Sequence, residues 1–150
     1  MRRPHQILAF PYKKENDKYI YCIFKRSDLK GTWQGIAGGV EDFDKTFVDA
    51  CKREANEEAG ISNSAKVIEL ESTCNIPVLN VVKDFIWGED VYLVQEHSFG
   101  IDCQNEDINL SHEHTQYKWC SYEEAISLLK YDSNKTALWE LDYKLNNKRL

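Results

Sequence analysis

Four charged residues in one short run carry the most visible chemistry of this chain: Arg53, Glu54, Glu57 and Glu58, in the order Arg53-Glu54-Ala55-Asn56-Glu57-Glu58. On a helix, at about 100° per residue, these four fall within an arc of about 140°. Carboxylates held this close repel one another and raise each other's pKa unless positive charge sits among them. A hard divalent cation supplies that charge, because Mg²⁺ takes oxygen ligands and brings substrate phosphates with it. The same residues also suit an ordinary solvated helix face, with Arg53 and Glu57 as an i,i+4 ion pair. The cluster therefore gains its meaning from what surrounds it.

The spacing of apolar residues predicts a helix over Phe47–Ala59. Val48, Cys51, Ala55 and Ala59 recur at intervals of three and four and form one apolar stripe beside the carboxylate arc. Gly60 stands where a C-terminal cap belongs. A glycine-punctuated segment, Gly31 to Gly39, precedes this helix. Further upstream, Ile7–Tyr12 and Tyr19–Phe24 read as two strands joined by a polar turn over Lys13–Lys18. Downstream, Lys66–Ile76, Val78–Ile86 and Val91–Glu96 are strand-like, and Gln116–Trp119 is a short strand. Tyr122–Lys130 and Lys135–Leu145 are amphipathic and read as helices. Strands and helices mix without regular alternation, which argues for an α/β fold with a mixed β-sheet and helices packed on it, not a doubly wound one.

The chain has 150 residues, 42% of them hydrophobic, and no repeat or linker-like stretch, so one domain spanning 1–150 is expected. Its net charge of -6 disfavours nucleic acid as a partner, although phosphates remain accessible through a divalent cation. The five cysteines, Cys22, Cys51, Cys74, Cys103 and Cys120, are scattered and form no CxxC pair. A disulfide framework or thiolate zinc site is not expected, and a reducing cytoplasmic location is. No stretch reaches the roughly 18 apolar residues of a membrane helix, so no membrane partner is expected either.

The run Gly38–Ile61, GGVEDFDKTFVDACKREANEEAGI, resembles the signature of the Nudix hydrolase family. Arg53, Glu54, Ala55, Glu57, Glu58, Gly60 and Ile61 all match it in order and spacing. The first half departs. Counting back from Arg53, the family's first glutamate falls on Lys45, with Gly39 as the motif glycine. Counting forward from Gly38, it falls on Asp44, and the loop holds one extra residue before the helix. The second register is preferred, because Trp33-Gln34-Gly35-Ile36-Ala37-Gly38-Gly39-Val40-Glu41-Asp42 then resembles the family's usual approach to the motif. The late segment Glu113-His114-Thr115-Gln116-Tyr117-Lys118-Trp119 is similar to one in the branch of dihydroneopterin triphosphate and dATP pyrophosphatases, as are Trp33-Gln34 and the Ser133-Asn134-Lys135 stretch.

The resemblance implies a Nudix-type α/β/α sandwich with a mixed β-sheet and the motif laid out as loop, helix, loop. It implies metal-dependent hydrolysis of a phosphoanhydride bond in a nucleoside or pterin triphosphate, releasing pyrophosphate. A dinucleoside polyphosphate, a nucleotide sugar, or binding without catalysis are the alternatives. Mg²⁺ is the implied cofactor, with Mn²⁺ as a substitute, and the expected assembly is a monomer or homodimer. Glu54 and Glu58 would ligate the metal, Glu57 would ligate or support it, and a backbone carbonyl of Ala37 or Gly38 would add a ligand. Arg53 would orient the glutamates. Glu113 is the candidate for a general base or an additional metal ligand, with His112, Glu89 and Glu96 next in line as the base. Trp33 is a candidate for stacking the base and Arg26 for meeting phosphates, against packing and solvation as their ordinary roles. Asp44 either stands in for the missing glutamate at the substrate site or belongs to a polar turn. His112 and His114 are more simply hydrogen-bonding groups than ligands.

Overall fold

The computed structural model describes every residue except Leu29, Lys30 and Glu113, and the backbone alone at Thr115. Its strands are β1 (Arg2–Glu15), β2 (Lys18–Arg26), β3 (Trp33–Gln34), β4 (Ile36–Glu41), β5 (Val67–Pro77), β6 (Leu93–Asp102) and β7 (His114–Cys120). Its helices are α1 (Phe47–Ala59), α2 (Tyr122–Leu128) and α3 (Asp132–Asn146). The strands form one sheet with the path β3-β2-β1-β6-β5, to which β4 adds on β1 and β7 on β2. β1 and β6 are parallel, whereas the other pairings among these strands are antiparallel. The sheet is thus mixed, as expected.

Strand β1 organises the rest. It runs far beyond Ile7–Tyr12 because its hairpin with β2 closes over only Asn16 and Asp17, both with positive φ, where Lys13–Lys18 reads in sequence as a longer turn. Asn and Asp tolerate that left-handed geometry, and its twist matches the flanking strands. Along its other half, β1 pairs with β4 instead. That split lets β4 leave the β1–β2 ladder and carry Ala37, Gly38 and Gly39 toward α1.

Alternation along β1 and β6 builds two cores. Ile7, Ala9, Phe99 and Ile101 face α1 and meet Ala50, Cys51, Ala55 and Ala59. Leu8, Phe10 and Tyr12 face α2 and α3 and meet Ala125, Leu138, Leu141 and Leu145. The result is the α/β/α sandwich. The buried face of α1 is made of small residues, so the helix lies close to the sheet. Its start is capped by the Thr46 hydroxyl, which accepts from the Asp49 N–H at 3.1 Å, a contact worth about 1 kcal/mol. Gly60 ends it at φ 69°, with its N–H donating to the Asn56 carbonyl and the Ile61 N–H to the Ala55 carbonyl.

The expected strand over Val78–Ile86 is not present. Val78–Asn80 forms a single 3₁₀ turn, and residues 81–91 close on themselves through local hydrogen bonds such as Val82 N–H to Val78 O and Gly88 N–H to Phe85 O. Leu79, Phe85 and Ile86 are exposed, so their apolar character does not mark a buried face. The following strand begins at Leu93 instead of Val91, opposite Pro77, and continues to Asp102.

Candidate active site

A cleft of about 910 Å³ opens between the acidic edge of α1, the β4 backbone and the sheet floor, within the size range of small-molecule sites. Ala37, Gly38, Gly39, Glu54, Glu57, Glu58 and Arg26 all line it. The carboxylates are not equivalent. Glu54 and Glu58 are 7% and 5% exposed, while Glu57 lies at the surface.

Arg53 is the hub. Its Nε and Nη2 donate to the two oxygens of Asp44 at 3.0 and 2.8 Å. Nη2 also donates to the Gly39 carbonyl at 2.8 Å, and Nη1 to Glu54 Oε1 at 3.0 Å. The i,i+4 pair with Glu57, at 3.2 Å, is one contact among several. A planar guanidinium spread over three carboxylates and a carbonyl fixes their relative positions, which a lysine ammonium would not do. Of the two registers, it is Asp44 that meets Arg53; Lys45 is exposed. Asp44 is buried, also accepts from the Glu41 N–H at 2.8 Å, and is held below the usual carboxylate range by its hydrogen bonds from Arg53.

Burial pushes the Glu54 carboxyl up to about 7, against the opposing pull of Arg53 and with a smaller push from Glu57 and Glu58. Glu58 Oε2 accepts from the Ser111 hydroxyl at 2.9 Å. His114 Nδ1 lies 3.4 Å from the same oxygen, close enough for charge but without hydrogen-bond alignment. Gly38 makes room for Glu54: a Cβ there would overlap the Glu54 carboxyl group.

These residues fit a divalent cation. Two desolvated carboxylates facing a cleft are costly without positive charge, and the donors there are all hard oxygens. Among the described residues no three acidic, histidine or cysteine side chains converge on one point. A divalent cation that keeps water and substrate phosphates among its ligands needs only one or two carboxylates from a protein.

The remaining sequence candidates are spread out. Arg26 lines the cleft with its Nε and Nη2 each 2.7 Å from Asp28. Trp33 is half-buried against the core under α2 and α3 and does not line the cleft. Glu113 lies outside the described residues. His112 is exposed, whereas His114 is buried against Phe24. Sequence reasoning missed Arg2 and Gln6, and it held Glu96 only in reserve as a base; all three line the cleft. The signal for Gln6 was available, since it continues the two-residue alternation of Leu8 and Phe10 one step back.

The chain belongs to the Nudix family: the model of the NUDIX domain matches residues 3–140. It is a Nudix hydrolase. It is 36% identical to a Listeria monocytogenes protein described as a Nudix hydrolase, with a TM-score of 0.86 and 97% of each chain covered. The Escherichia coli dihydroneopterin triphosphate pyrophosphohydrolase shares the fold, with a TM-score of 0.75, 24% identity and coverage of 95% of this chain and 97% of that one. The dihydroneopterin triphosphate diphosphatase of Haemophilus influenzae is 22% identical over 88% of this chain and 83% of its own length. Among the described residues, no helix is long and apolar enough to cross a membrane.

Proposed function

We propose that the chain hydrolyses a nucleoside or pterin triphosphate between the first and second phosphorus atoms, giving the monophosphate and pyrophosphate. The observation that carries this reading is the pair of buried carboxylates, Glu54 and Glu58, facing a cleft large enough for a nucleotide while Arg53 fixes the loop around them. The likeness to two dihydroneopterin triphosphate enzymes supports the choice of a triphosphate. Glu54 and Glu58, with a β4 carbonyl of Ala37 or Gly38, hold Mg²⁺, or Mn²⁺ in its place, and Glu57 assists from the rim. When bound, the cation offsets phosphate charge and acidifies the attacking water.

The chain's own residues do the rest. Asp44 holds Arg53, and Arg53 holds Glu54 and the Gly39 carbonyl, so the ligands are placed before substrate arrives. Arg26 and Arg2 supply positive charge along the cleft for the phosphates. Glu113 is retained as the base that removes the proton from water. The pairing of Asp44 with Arg53 supports catalysis over a binding-only domain, because it supplies an acidic partner where Lys45 would have left none. Five free cysteines, four of them buried, fit a reducing cytoplasm.

Phosphorus NMR of the products formed from a nucleoside or pterin triphosphate tests the reading. Monophosphate and pyrophosphate are expected, with a rate that climbs into the alkaline range. Inorganic phosphate as the primary product overturns the assignment.

A further inference from the structure

The cleft continues past α1 along the sheet, and strand register sets its far floor. Gln6 on β1 lies opposite Glu96 on the parallel strand β6, and Cys74 on β5 lies opposite Glu96 from the other side. Residues paired across a sheet share a face, so Gln6, Glu96 and Cys74 make one row, and all three line the cleft. Glu96 is 4% exposed. Among the described residues its only hydrogen-bond donor is Gln6 Nε2, 2.6 Å from Oε2, and burial pushes its carboxyl upward with no cation to oppose it. A buried carboxylate with one neutral partner is an incomplete arrangement.

Gln6 is not free to turn. Its Oε1 accepts from Arg2 Nη2 at 3.1 Å, so its amide nitrogen must face Glu96. Arg2 lies between this row and α1: it packs over Gly39, feels the charge of Glu54, and its Nε is buried without a partner. From α1 outward the cleft therefore presents carboxylates, a guanidinium, an amide and then a carboxylate acceptor. A polyphosphate is drawn to Arg2 and a cation on α1, and is repelled from Glu96. The part of the substrate that reaches Glu96 is the uncharged ring.

Building on the triphosphate hydrolysis proposed above, we propose that Glu96, oriented by Gln6 and Arg2, reads the substrate ring by accepting two adjacent N–H donors. The 2-amino-4-oxopyrimidine edge of guanine or a pterin offers such a pair. The adenine edge offers one donor and one lone pair, and that lone pair would face a carboxylate oxygen. Sites built on a buried polar group discriminate strongly against a ring that leaves it unpaired.

The test is steady-state hydrolysis of dGTP and dATP, with Mg²⁺, by the full chain and its Glu96→Gln and Glu96→Asp variants. The wild type should favour dGTP by roughly 10- to 100-fold in kcat/KM. Glu96→Gln should abolish that preference through a KM for dGTP raised roughly 10- to 100-fold, with kcat held within about threefold and dATP unchanged or improved. Glu96→Asp keeps the charge and should keep the order of preference. Should Glu96→Gln fail to fold, Glu96→Asp decides: a KM raised for dGTP and not for dATP is expected. A dGTP-to-dATP ratio unmoved by Glu96→Gln, or an equal loss on both bases, overturns the role of Glu96 and leaves the hydrolase reading standing. A wild type that cleaves no nucleoside or pterin triphosphate overturns both.

Discussion

Replacing Glu54 by glutamine separates the stability of the metal-free fold from its chemistry. The Glu54 carboxyl sits at about 7 instead of 4.5 because it is buried beside Glu57 and Glu58. A folded-state pKa above the unfolded one means that the native state holds its proton longer. The stabilising contribution is then complete below about 4.5 and lost as pH rises through about 7. The gap between the two values corresponds to about 3 kcal/mol. Glutamine is nearly isosteric and keeps an oxygen to accept from Arg53 Nη1, yet it has no charge to desolvate. Without divalent cation, Glu54→Gln should therefore gain about 3 kcal/mol over the wild type between pH 4.5 and 8.5, or roughly 6–12 °C in Tm for a chain of this size. Urea unfolding of chelator-treated protein at both pH values measures it. Mg²⁺ should raise the stability of the wild type at pH 8.5 and do little for the variant, whose turnover should fall at least about 100-fold. A stability difference that does not change with pH would refute the desolvated carboxyl. Near-normal turnover would refute Glu54 as a ligand.

Gly38→Ala places a methyl group on the Glu54 carboxyl; turnover should drop about 100-fold and the Mg²⁺-dependent rise in Tm should shrink, and a variant with wild-type titration behaviour would show that Glu54 has room to move elsewhere. Asp44→Asn breaks the two-pronged contact with Arg53 and should lower kcat/KM about 10- to 100-fold while costing roughly 1–3 kcal/mol in denaturant unfolding. Lys45→Ala, at an exposed position, should stay within about 0.5 kcal/mol of wild type, and strong acceleration in Lys45→Glu would restore the register that counts back from Arg53.

What was legible in the chain follows from how local each cause is. The end of α1 could be read because Gly60 acts within one turn of it, and its start from the apolar spacing that begins at Val48; the Thr46 cap became visible only in the structure. The register around Asp44 stayed open in sequence, because an extra loop residue shifts the count, and only the side chain of Arg53 chooses between neighbours. The segment Val78–Ile86 reads as strand from its apolar run, but β character needs a partner, and β5 and β6 are already paired through Pro77 and Leu93. The far floor of the cleft was least legible of all. It depends on Gln6 meeting Glu96, ninety residues away, across a parallel pairing that no local pattern encodes.

The carboxylate cluster shows how far periodicity can be pushed when angles replace faces. Set Arg53 at zero. Glu57 then falls at about 40°, Glu54 at about 100° and Glu58 at about 140°, while Cys51, Ala55, Val48 and Ala59 occupy about 160° to 240°. Glu54 and Glu58 adjoin the apolar stripe, and Glu57 stands apart with Arg53. The structure follows that order, with Glu54 and Glu58 buried and Glu57 at the surface. Equal repulsion among three carboxylates is therefore the wrong description of this helix. Two of them are desolvated by the core they border, and the third stays in water paired with the arginine. Desolvation is the larger push on Glu54, ahead of its acidic neighbours. In the reading proposed above, affinity for a cation rests on how closely the small face of α1 brings it to the sheet, and a bulkier residue at Ala50, Ala55 or Ala59 should weaken Mg²⁺-dependent stabilisation by lifting the helix, without touching an acidic residue.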